Sequence, residues 1–183
     1  MDFDRPLVFD ACALINVHAS GRLGDILRSI PQPTLVTETV RALELLQTEA
    51  LDALNPEGDR LGDLIEGGKL VVVDFDSDDE AGLFLDFAAA IGDDGEAASL
   101  AVAASRGFAV VTDDKKARRF AVGETLGVPL VYSLEVIEHW SSDLEVPPFV
   151  LQTALESLRV NGSYEPARSH PLYGWWQQAL ALT

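Results

Sequence analysis

The stretch FAVVTDDKKARRFAVGETLGVPLV, residues 108 to 131, consists of two short apolar runs with a polar, basic segment between them. An unbroken apolar run of about four residues is typical of a strand that is buried on both faces of a sheet. The first run ends just before Asp113 and Asp114, and residues 115 to 126 form a helical pattern. The second run, residues 129 to 132, predicts another strand. Two strands that are joined by a helix predict a parallel pair.

The same alternation of short strands and helices extends over most of the chain. Continuous apolar runs predict strands at residues 7 to 9, 35 to 36 and 70 to 73, and an Ala-rich helix is predicted from Gly95 to Arg106. The expected fold class is therefore α/β, a parallel β-sheet sandwiched between helices.

The chain is expected to divide near residue 140. Residues 1–140 form the α/β domain. Residues 141–183 form a C-terminal helical and irregular extension that packs on the core or on a partner subunit. This extension begins with the linker-like stretch SSDLEVPPF, residues 141 to 149, and residues 150 to 158 form a helical pattern.

Composition excludes several classes of protein. The single cysteine, Cys12, rules out an intramolecular disulfide framework, and the three histidines are isolated, so no zinc-binding spacing is present. The N-terminus does not resemble a signal peptide, and no apolar segment approaches the length that spans a bilayer. A cytoplasmic protein without a membrane partner is the expectation.

The net charge of −17 argues against a broad electrostatic surface for nucleic acid, which normally needs a face rich in Lys and Arg. From Asp74 to Glu96 there are nine acids and no base, which is consistent with a solvated surface that keeps the protein soluble. Any nucleic-acid partner must therefore be held locally, or with the help of metal ions.

Acidic side chains recur at the ends of the predicted strands, and one more opens the Ala-rich helix. Ligands of open α/β sheets bind at the carboxyl ends of the strands. Carboxylates that converge there raise each other's pKa unless a cation offsets their charge. A set of ligands made only of oxygens suits Mg²⁺ or Mn²⁺. The candidate acids are Asp10, Glu38, Glu44, Glu96, Asp113 and Asp114.

The adjacent pair Asp113 and Asp114 has two interpretations. Asp is a favoured residue before the first turn of a helix, so the pair is consistent with a simple turn. Alternatively, a bound cation offsets the two charges. Four bases follow directly and either position phosphate oxygens or only solubilise an exposed helix. These bases are Lys115, Lys116, Arg118 and Arg119.

Four segments in this order resemble the PIN domain, a metal-dependent ribonuclease fold found in toxins of toxin–antitoxin pairs and in RNA-processing proteins. They are LVFDACALI (7–15), VRALELL (40–46), DDGEAASLAVAASRG (93–107) and the stretch 108–131. The resemblance covers about residues 5 to 140. It departs from the family at Cys12, where many members carry a small hydroxyl residue.

The resemblance implies a ribonuclease that uses Mg²⁺ or Mn²⁺ to hydrolyse RNA phosphodiesters with a metal-activated water. It also implies RNA as a partner, an antitoxin-like protein and a homodimer. Its catalytic acids fall on Asp10, Glu44, Glu96, Asp113 and Asp114, and the metal ligands are Asp10, Glu96, Asp113 and Asp114. The second acid is ambiguous, because Glu38 is the alternative to Glu44.

Three alternatives compete with this interpretation. The first is a PIN-fold module that binds a partner protein and is catalytically weak or inactive. A phosphoacceptor receiver domain fits less well, because no Lys follows the strand at 129 to 132. A phosphatase of the haloacid-dehalogenase type needs Asp-x-Asp after its first strand, where this chain has Asp10-Ala11-Cys12.

Overall fold

A computed structural model of the chain describes residues 3–42, 60–124 and 126–181. They form a five-stranded sheet with the order β3-β2-β1-β4-β5, in which each neighbouring pair is parallel. The sandwich of a parallel sheet between helices, predicted from the sequence, is confirmed. The strands are β1 (Leu7–Phe9), β2 (Thr34–Thr37), β3 (Val71–Val73), β4 (Ala109–Val111) and β5 (Leu130–Val131).

Helices connect the strands, and two of them end at a glycine in the left-handed conformation. Residues 38 to 42 are helical directly after β2. The other helices are α1 (Ala11–Ala19), α2 (Leu23–Ser29), α3 (Leu61–Glu66), α4 (Asp78–Ile91), α5 (Asp94–Arg106), α6 (Lys115–Gly123), α7 (Ser133–Asp143), α8 (Pro148–Asn161) and α9 (Tyr173–Ala181). Gly92 and Gly107 end α4 and α5 with φ of 74° and 69°, the left-handed conformation that glycine adopts without a steric penalty.

Helices cover both faces of the sheet, because successive strand residues point to opposite sides. Leu7 and Phe9 of β1 face a core that includes buried residues of α1, α2, α3, α7, α8 and α9. Val8, between them, faces a second core formed with α4, α5 and α6. Both faces of β1 are fully buried, which explains why the strands are continuous apolar runs in the sequence.

The C-terminal helices belong to the same core as the first face of the sheet. Leu155 and Leu158 of α8 and Trp176 of α9 are all buried there. Gly162, which follows α8, is held close to the core. A Cβ at this position would lie 2.8 Å from the Leu158 carbonyl oxygen and 3.1 Å from Cβ of Ala19, so a larger residue would force a shift.

The prediction of a linker at residues 141 to 149 was wrong at both ends of this stretch. Helix α7, which the sequence analysis did not predict, continues to Asp143, and α8 begins at Pro148. Only residues 144 to 147 connect the two helices. Proline is well suited to a first helical turn because its missing N–H would have no partner there. Pro147 and Pro148 therefore mark the start of α8.

The direction of the chain across the sheet reverses between β1 and β4. From β1 the chain builds β2 and β3 on one side, and then crosses over to β4 and β5 on the other. Beyond the paired residues Phe9 and Val111, the Asp10 N–H donates to the Val111 carbonyl oxygen at 3.1 Å. The segments after β1 and β4 therefore begin side by side, at the position where open α/β sheets bind ligands.

Within the part of the chain that the structure describes, no helix combines the length and the apolar character needed to cross a membrane.

A buried ion pair ties α4 to the end of α5. The side chain of Glu80 is fully buried, and Arg106 donates to its two carboxylate oxygens at 2.9 and 2.6 Å. The Asp76 N–H donates to the same carboxylate at 2.9 Å. Burial acts most strongly and raises the pKa of Glu80, but the hydrogen bonds from Arg106 and Asp76 outweigh it, so the net pKa is lowered.

We expect Arg106→Ala to destabilise the fold by about 3–5 kcal/mol, because it leaves the buried Glu80 charge without a partner. Urea unfolding at pH 7 measures this loss. Arg22→Ala, which removes an exposed ion pair to Asp25, is the control and should change the free energy of unfolding by less than about 1 kcal/mol.

The Glu80–Arg106 ion pair should also make the stability of the fold sensitive to acid. Since the folded-state pKa of Glu80 is lowered, its contribution is complete above the ordinary pKa of 4.5 and is lost as the pH falls through the folded-state value. The difference in stability between wild type and Glu80→Gln should therefore shrink below about pH 4.5. A difference that stays constant down to pH 3 would contradict this account.

Candidate active site

Asp10 lies at the centre of the carboxyl edge of the sheet and is fully buried. It caps the N-terminus of α1, where its Oδ1 accepts the Ala13 N–H at 2.8 Å, and the Cys12 thiol lies 3.2 Å from the same oxygen. Desolvation raises the pKa of Asp10 to about 7, although hydrogen bonds from Thr112, Ala13 and Cys12 oppose the shift. Burial is the main cause, because a desolvated carboxylate is harder to ionise than a solvated one.

Glu96 occupies the first turn of α5, next to the same edge. Its N–H donates to Asp93, which caps the helix, at 3.1 Å. Desolvation and then the charges of Asp114, Asp93 and Asp10 raise the pKa of Glu96 to about 7, and Lys116 opposes them. The charges of Asp114 and Asp10 are thus close enough to Glu96 to make its ionisation less favourable.

The helix that carries Glu96 approaches the segment after β2 closely. A Cβ at Gly95 would lie 3.3 Å from Cγ2 of Val40, so a side chain there would push the two segments apart. All seven residues from Ala97 to Ala103 in α5 are fully buried, and most of them are small, which lets the helix lie close to the sheet. Glycine and alanine in this segment therefore place Glu96 at the edge.

The adjacent acids Asp113 and Asp114 have separate hydrogen-bond partners. Asp114 caps α6 through one oxygen, which accepts the N–H groups of Lys116 and Ala117 at 2.6 and 2.7 Å. Asp113 instead accepts from the Asn16 amide at 2.8 Å and from the hydroxyl and the N–H of Ser133. The two carboxylates tolerate adjacency because different donors within the protein bind them, even before any cation is considered.

The second acid of the resemblance is not settled by the described residues. Glu44 lies outside them. Glu38, the alternative, begins the helical segment after β2, and Arg41 binds its two carboxylate oxygens. Hydrogen bonding from Arg41 lowers the pKa of Glu38, so this acid already has a cationic partner.

The four bases of α6 differ in their surroundings. Lys116 donates to the carbonyl oxygen of Ile91, the last residue of α4. Arg118 donates to the carbonyl oxygens of Thr112 and Val131 at 2.9 and 3.2 Å, which joins the ends of β4 and β5. Lys115 and Arg119 are exposed. The role of all four bases in substrate binding stays a prediction, but Lys116 and Arg118 have structural contacts that Lys115 and Arg119 do not share.

Three residues at this site were not predicted from the sequence. Asn16 and Ser133 hold Asp113, as described above. Tyr164, in the segment after α8, hydrogen-bonds to Ser133, and desolvation followed by the Asp113 charge raises its pKa. The sequence could have indicated Ser133, because this residue directly follows the strand predicted at residues 129 to 132. Asn16 and Tyr164 had none, since both reach Asp113 only through the tertiary fold.

The chemistry of the donors fits a divalent cation. Every candidate ligand is a carboxylate, as Mg²⁺ and Mn²⁺ prefer. Burial raises the pKa of two of these acids, Asp10 and Glu96, to about 7. Among residues 3–42, 60–124 and 126–181, however, no group of three or more acidic, histidine or cysteine side chains is arranged so that it could hold a metal ion. Mg²⁺ needs only one or two carboxylates because it retains several waters.

Comparison with known protein families gives a match over most of the chain. The model of the family DUF3368, a PIN domain, matches residues 6 to 165. The matched region includes β1 to β5, α8 and Tyr164. No curated protein and no solved structure matches the chain.

The charge of Asp10 should oppose folding when no metal is present. Its folded-state pKa of about 7 exceeds the ordinary 3.8. The charge of Asp10 therefore costs no folding stability below about pH 4, and its destabilising effect grows as the pH rises towards 7. In chelator at pH 8, the Asp10→Asn variant should therefore be more stable than wild type by roughly 1 kcal/mol or more. Each kcal/mol should raise Tm by about 2–4 °C. Thermal unfolding from pH 4 to pH 8 measures this difference, which should vanish at pH 4.

Asp86→Asn, which removes an exposed acid on α4, is the matched control and should leave Tm nearly unchanged. If Asp10→Asn were clearly less stable than wild type at pH 8 in chelator, the hydrogen bonds of Asp10 would outweigh its charge, and its role would be structural.

Proposed function

The chain belongs to the PIN domain family, and we propose that it is a Mg²⁺- or Mn²⁺-dependent ribonuclease that hydrolyses RNA phosphodiester bonds. The family suggests a nuclease-type fold, and the chemistry of the site supports the finer assignment. The observation that carries it is the position of two acids with a pKa raised to about 7, Asp10 and Glu96, at the edge of the sheet where α/β folds bind ligands. Burial is the main cause for both, and the Asp10 charge adds to the shift of Glu96.

In this proposal one or two carboxylates from among Asp10, Glu96 and Asp114 hold the cation and waters complete its shell, since the described residues form no preformed group of three ligands. Glu44 or Glu38 adds a further acid. Asp114 uses one oxygen to cap α6, and its other oxygen remains for a cation. When bound, the ion supplies a water of lowered pKa and stabilises the leaving oxygen of the phosphodiester. Burial of Asp10 keeps bulk water away from its carboxylate, which strengthens any interaction with a cation there.

Asp113 serves as an oriented acid in this proposal. Three donors from Asn16 and Ser133 fix its carboxylate, and fixed dipoles at a reaction centre need little reorganisation during the reaction. Lys115 and Arg119 are exposed next to the site and suit contacts with phosphate oxygens. Lys116 and Arg118 then act mainly by holding the ends of α4, β4 and β5 in place.

An alternative is a PIN-fold interaction module with weak or no catalysis. Two observations favour it: the described residues form no preformed group of metal ligands, and Arg41 neutralises Glu38. The two proposals differ in their dependence on divalent ions. A nuclease binds Mn²⁺ and cleaves RNA, whereas an inactive module does neither.

Cleavage of a labelled single-stranded RNA should require Mg²⁺ or Mn²⁺ and should stop in chelator. Asp10→Asn and Glu96→Gln should each lower the rate by roughly 100-fold or more, because each removes part of the charge that holds the ion. Mn²⁺ binding, followed by electron paramagnetic resonance, should weaken in both variants. Glu156→Gln, which changes an exposed acid on α8, should leave cleavage and Mn²⁺ binding as in wild type.

Three outcomes would contradict the assignment. Cleavage that persists in chelator would exclude the metal, and DNA cleaved in preference to RNA would exclude the ribonuclease. Absence of both cleavage and Mn²⁺ binding would favour the interaction module.

RNA binding should depend only weakly on salt, because few phosphates are neutralised by a chain of net charge −17. The double variant with Lys115→Ala and Arg119→Ala should bind RNA more weakly in Mg²⁺. The slope of its binding constant against salt concentration, both on logarithmic scales, should fall by about 2, one for each lost phosphate contact. Affinity measured against salt concentration tests this. Lys116→Ala should act differently, since it removes the contact with Ile91 and should mainly lower Tm.

A steep salt slope in wild type would contradict the proposal that binding rests on a few local contacts. So would a double variant of Lys115 and Arg119 that binds RNA as tightly as the wild-type protein.

A further inference from the structure

Tyr164 brings the C-terminal part of the chain to the candidate active site. It lies between α8 and α9, after the five strands, and lines a cavity of about 220 Å³ together with Asp113. Its side chain is half-buried, and its hydroxyl hydrogen-bonds to Ser133. Ser133 in turn binds Asp113. The tyrosine hydroxyl therefore reaches an acid of the site through one intervening side chain.

Ser133 can connect the two side chains because a hydroxyl both donates and accepts hydrogen bonds. Its O–H donates to Asp113 Oδ2, and its backbone N–H donates to Asp113 Oδ1 at 3.2 Å. Since the single hydroxyl proton of Ser133 goes to Asp113, the Tyr164 hydroxyl is the donor in the bond to Ser133. The order of the chain is Tyr164 O–H to Ser133 Oγ, then Ser133 O–H to Asp113.

Burial and charge keep the Tyr164 hydroxyl protonated, so that it remains a donor. Desolvation raises the pKa of the phenol, and the charge of Asp113 raises it further. Ser133 is fully buried, so bulk water does not replace the tyrosine as the donor to its oxygen. Successive hydrogen bonds polarise one another, so the bond from Tyr164 strengthens the bond from Ser133 to Asp113.

The ring of Tyr164 is held by contacts that do not involve its hydroxyl. It packs edge-on against the fully buried Trp176 of α9, with 5.9 Å between the ring centroids. The backbone before it is also fixed, because a Cβ at Gly162 would lie 2.8 Å from the Leu158 carbonyl oxygen, and Ser163 has a φ of 50°. Tertiary contacts must hold this left-handed conformation in a residue other than glycine. An anchored ring allows the hydroxyl to orient Ser133.

Asp113 is thereby held by donors from two separate parts of the chain. Asn16 of α1 donates to its Oδ2 at 2.8 Å, and Ser133, the first residue of α7, donates to both oxygens. The Asn16 amide comes from the helix after β1, whereas the Ser133 hydroxyl is bound from the segment after α8. The family match extends to residue 165 and so includes Tyr164.

We propose that Tyr164 is a positioning residue of the active site, which fixes the direction of the Asp113 carboxylate through the Ser133 hydroxyl. The segment after α8 is then part of the catalytic unit. The proposal rests on the proposed ribonuclease function for the reaction that Asp113 serves. The chain of hydrogen bonds does not depend on that function, so two experiments test the two separately.

The first experiment follows the hydroxyl proton of Tyr164 by NMR, in the full chain with chelator and without RNA. We expect a slowly exchanging low-field signal that is absent in Tyr164→Phe, which identifies it. The signal should shift in Asp113→Asn, because the acceptor at the end of the chain loses its charge. Tyr173→Phe, which removes another half-buried tyrosine hydroxyl, should leave the signal unchanged. A missing signal, or one that is identical in wild type and Asp113→Asn, would overturn the proposal.

The second experiment measures cleavage of a labelled single-stranded RNA in Mg²⁺. Tyr164→Phe should lower kcat roughly tenfold and leave KM near its wild-type value, because the ring still packs on Trp176 and only a hydrogen bond is lost. Ser133→Ala should lower kcat at least as much. Adding Tyr164→Phe to Ser133→Ala should lower kcat no further, since Tyr164 acts through Ser133. Tyr173→Phe should cleave as wild type.

A purely structural role for Tyr164 gives a different pattern. Tyr164→Phe would then lower Tm with kcat unchanged, or its effect on kcat would persist in full in the Ser133→Ala background, and either result would overturn the positioning role. If wild type cleaves no RNA while the hydroxyl signal still responds to Asp113→Asn, the proposed function fails and the chain of hydrogen bonds stands. If wild type cleaves RNA but Tyr164→Phe cleaves equally well, only the positioning role fails.

Discussion

The hydrogen bond from the Asp10 N–H to the Val111 carbonyl oxygen determines the arrangement of the site. It continues the pairing of β1 with β4 beyond Phe9, so the residues after the two strands emerge side by side. Since β1 is the central strand and is covered on both faces, Asp10 is also desolvated. The same pairing that places acids together thus makes their charges costly, and the proposed cation site rests on this property of the sheet.

Helix capping reconciles the two interpretations of the adjacent acids. Asp10, Asp93 and Asp114 each cap a helix, and the positive end of a helix dipole partly offsets a carboxylate. Capping occupies one oxygen of Asp114, so it does not compete with binding a cation through the other. The turn interpretation accounts for the adjacency of Asp113 and Asp114 by itself, because the protein supplies donors to both, and a cation is an addition that the adjacency does not require.

Local patterns in the sequence were sufficient for the sheet, for its carboxyl edge and for the extent of α5. They were insufficient where a residue acts through a distant partner. Asn16 contacts Asp113 across 97 positions of sequence, and Glu80 contacts Arg106 across 26. Helix α7 was missed because its first residues follow a strand without a break. The second acid remains open, because Glu44 lies outside the described residues.

The strongly acidic composition limits how this chain can recognise a polyanion. A chain of net charge −17 gains little from long-range attraction to a polyanion, so recognition has to rely on forces that act at contact distance. In the proposed function, these forces are binding through the cation and short contacts from the exposed Lys115 and Arg119. The α/β core provides the acids, whereas the segment after α8 provides Tyr164 and His170, which line a cavity beside Asp113. Changes in that segment can therefore alter the surroundings of Asp113 while the other acids at the edge of the sheet stay in place.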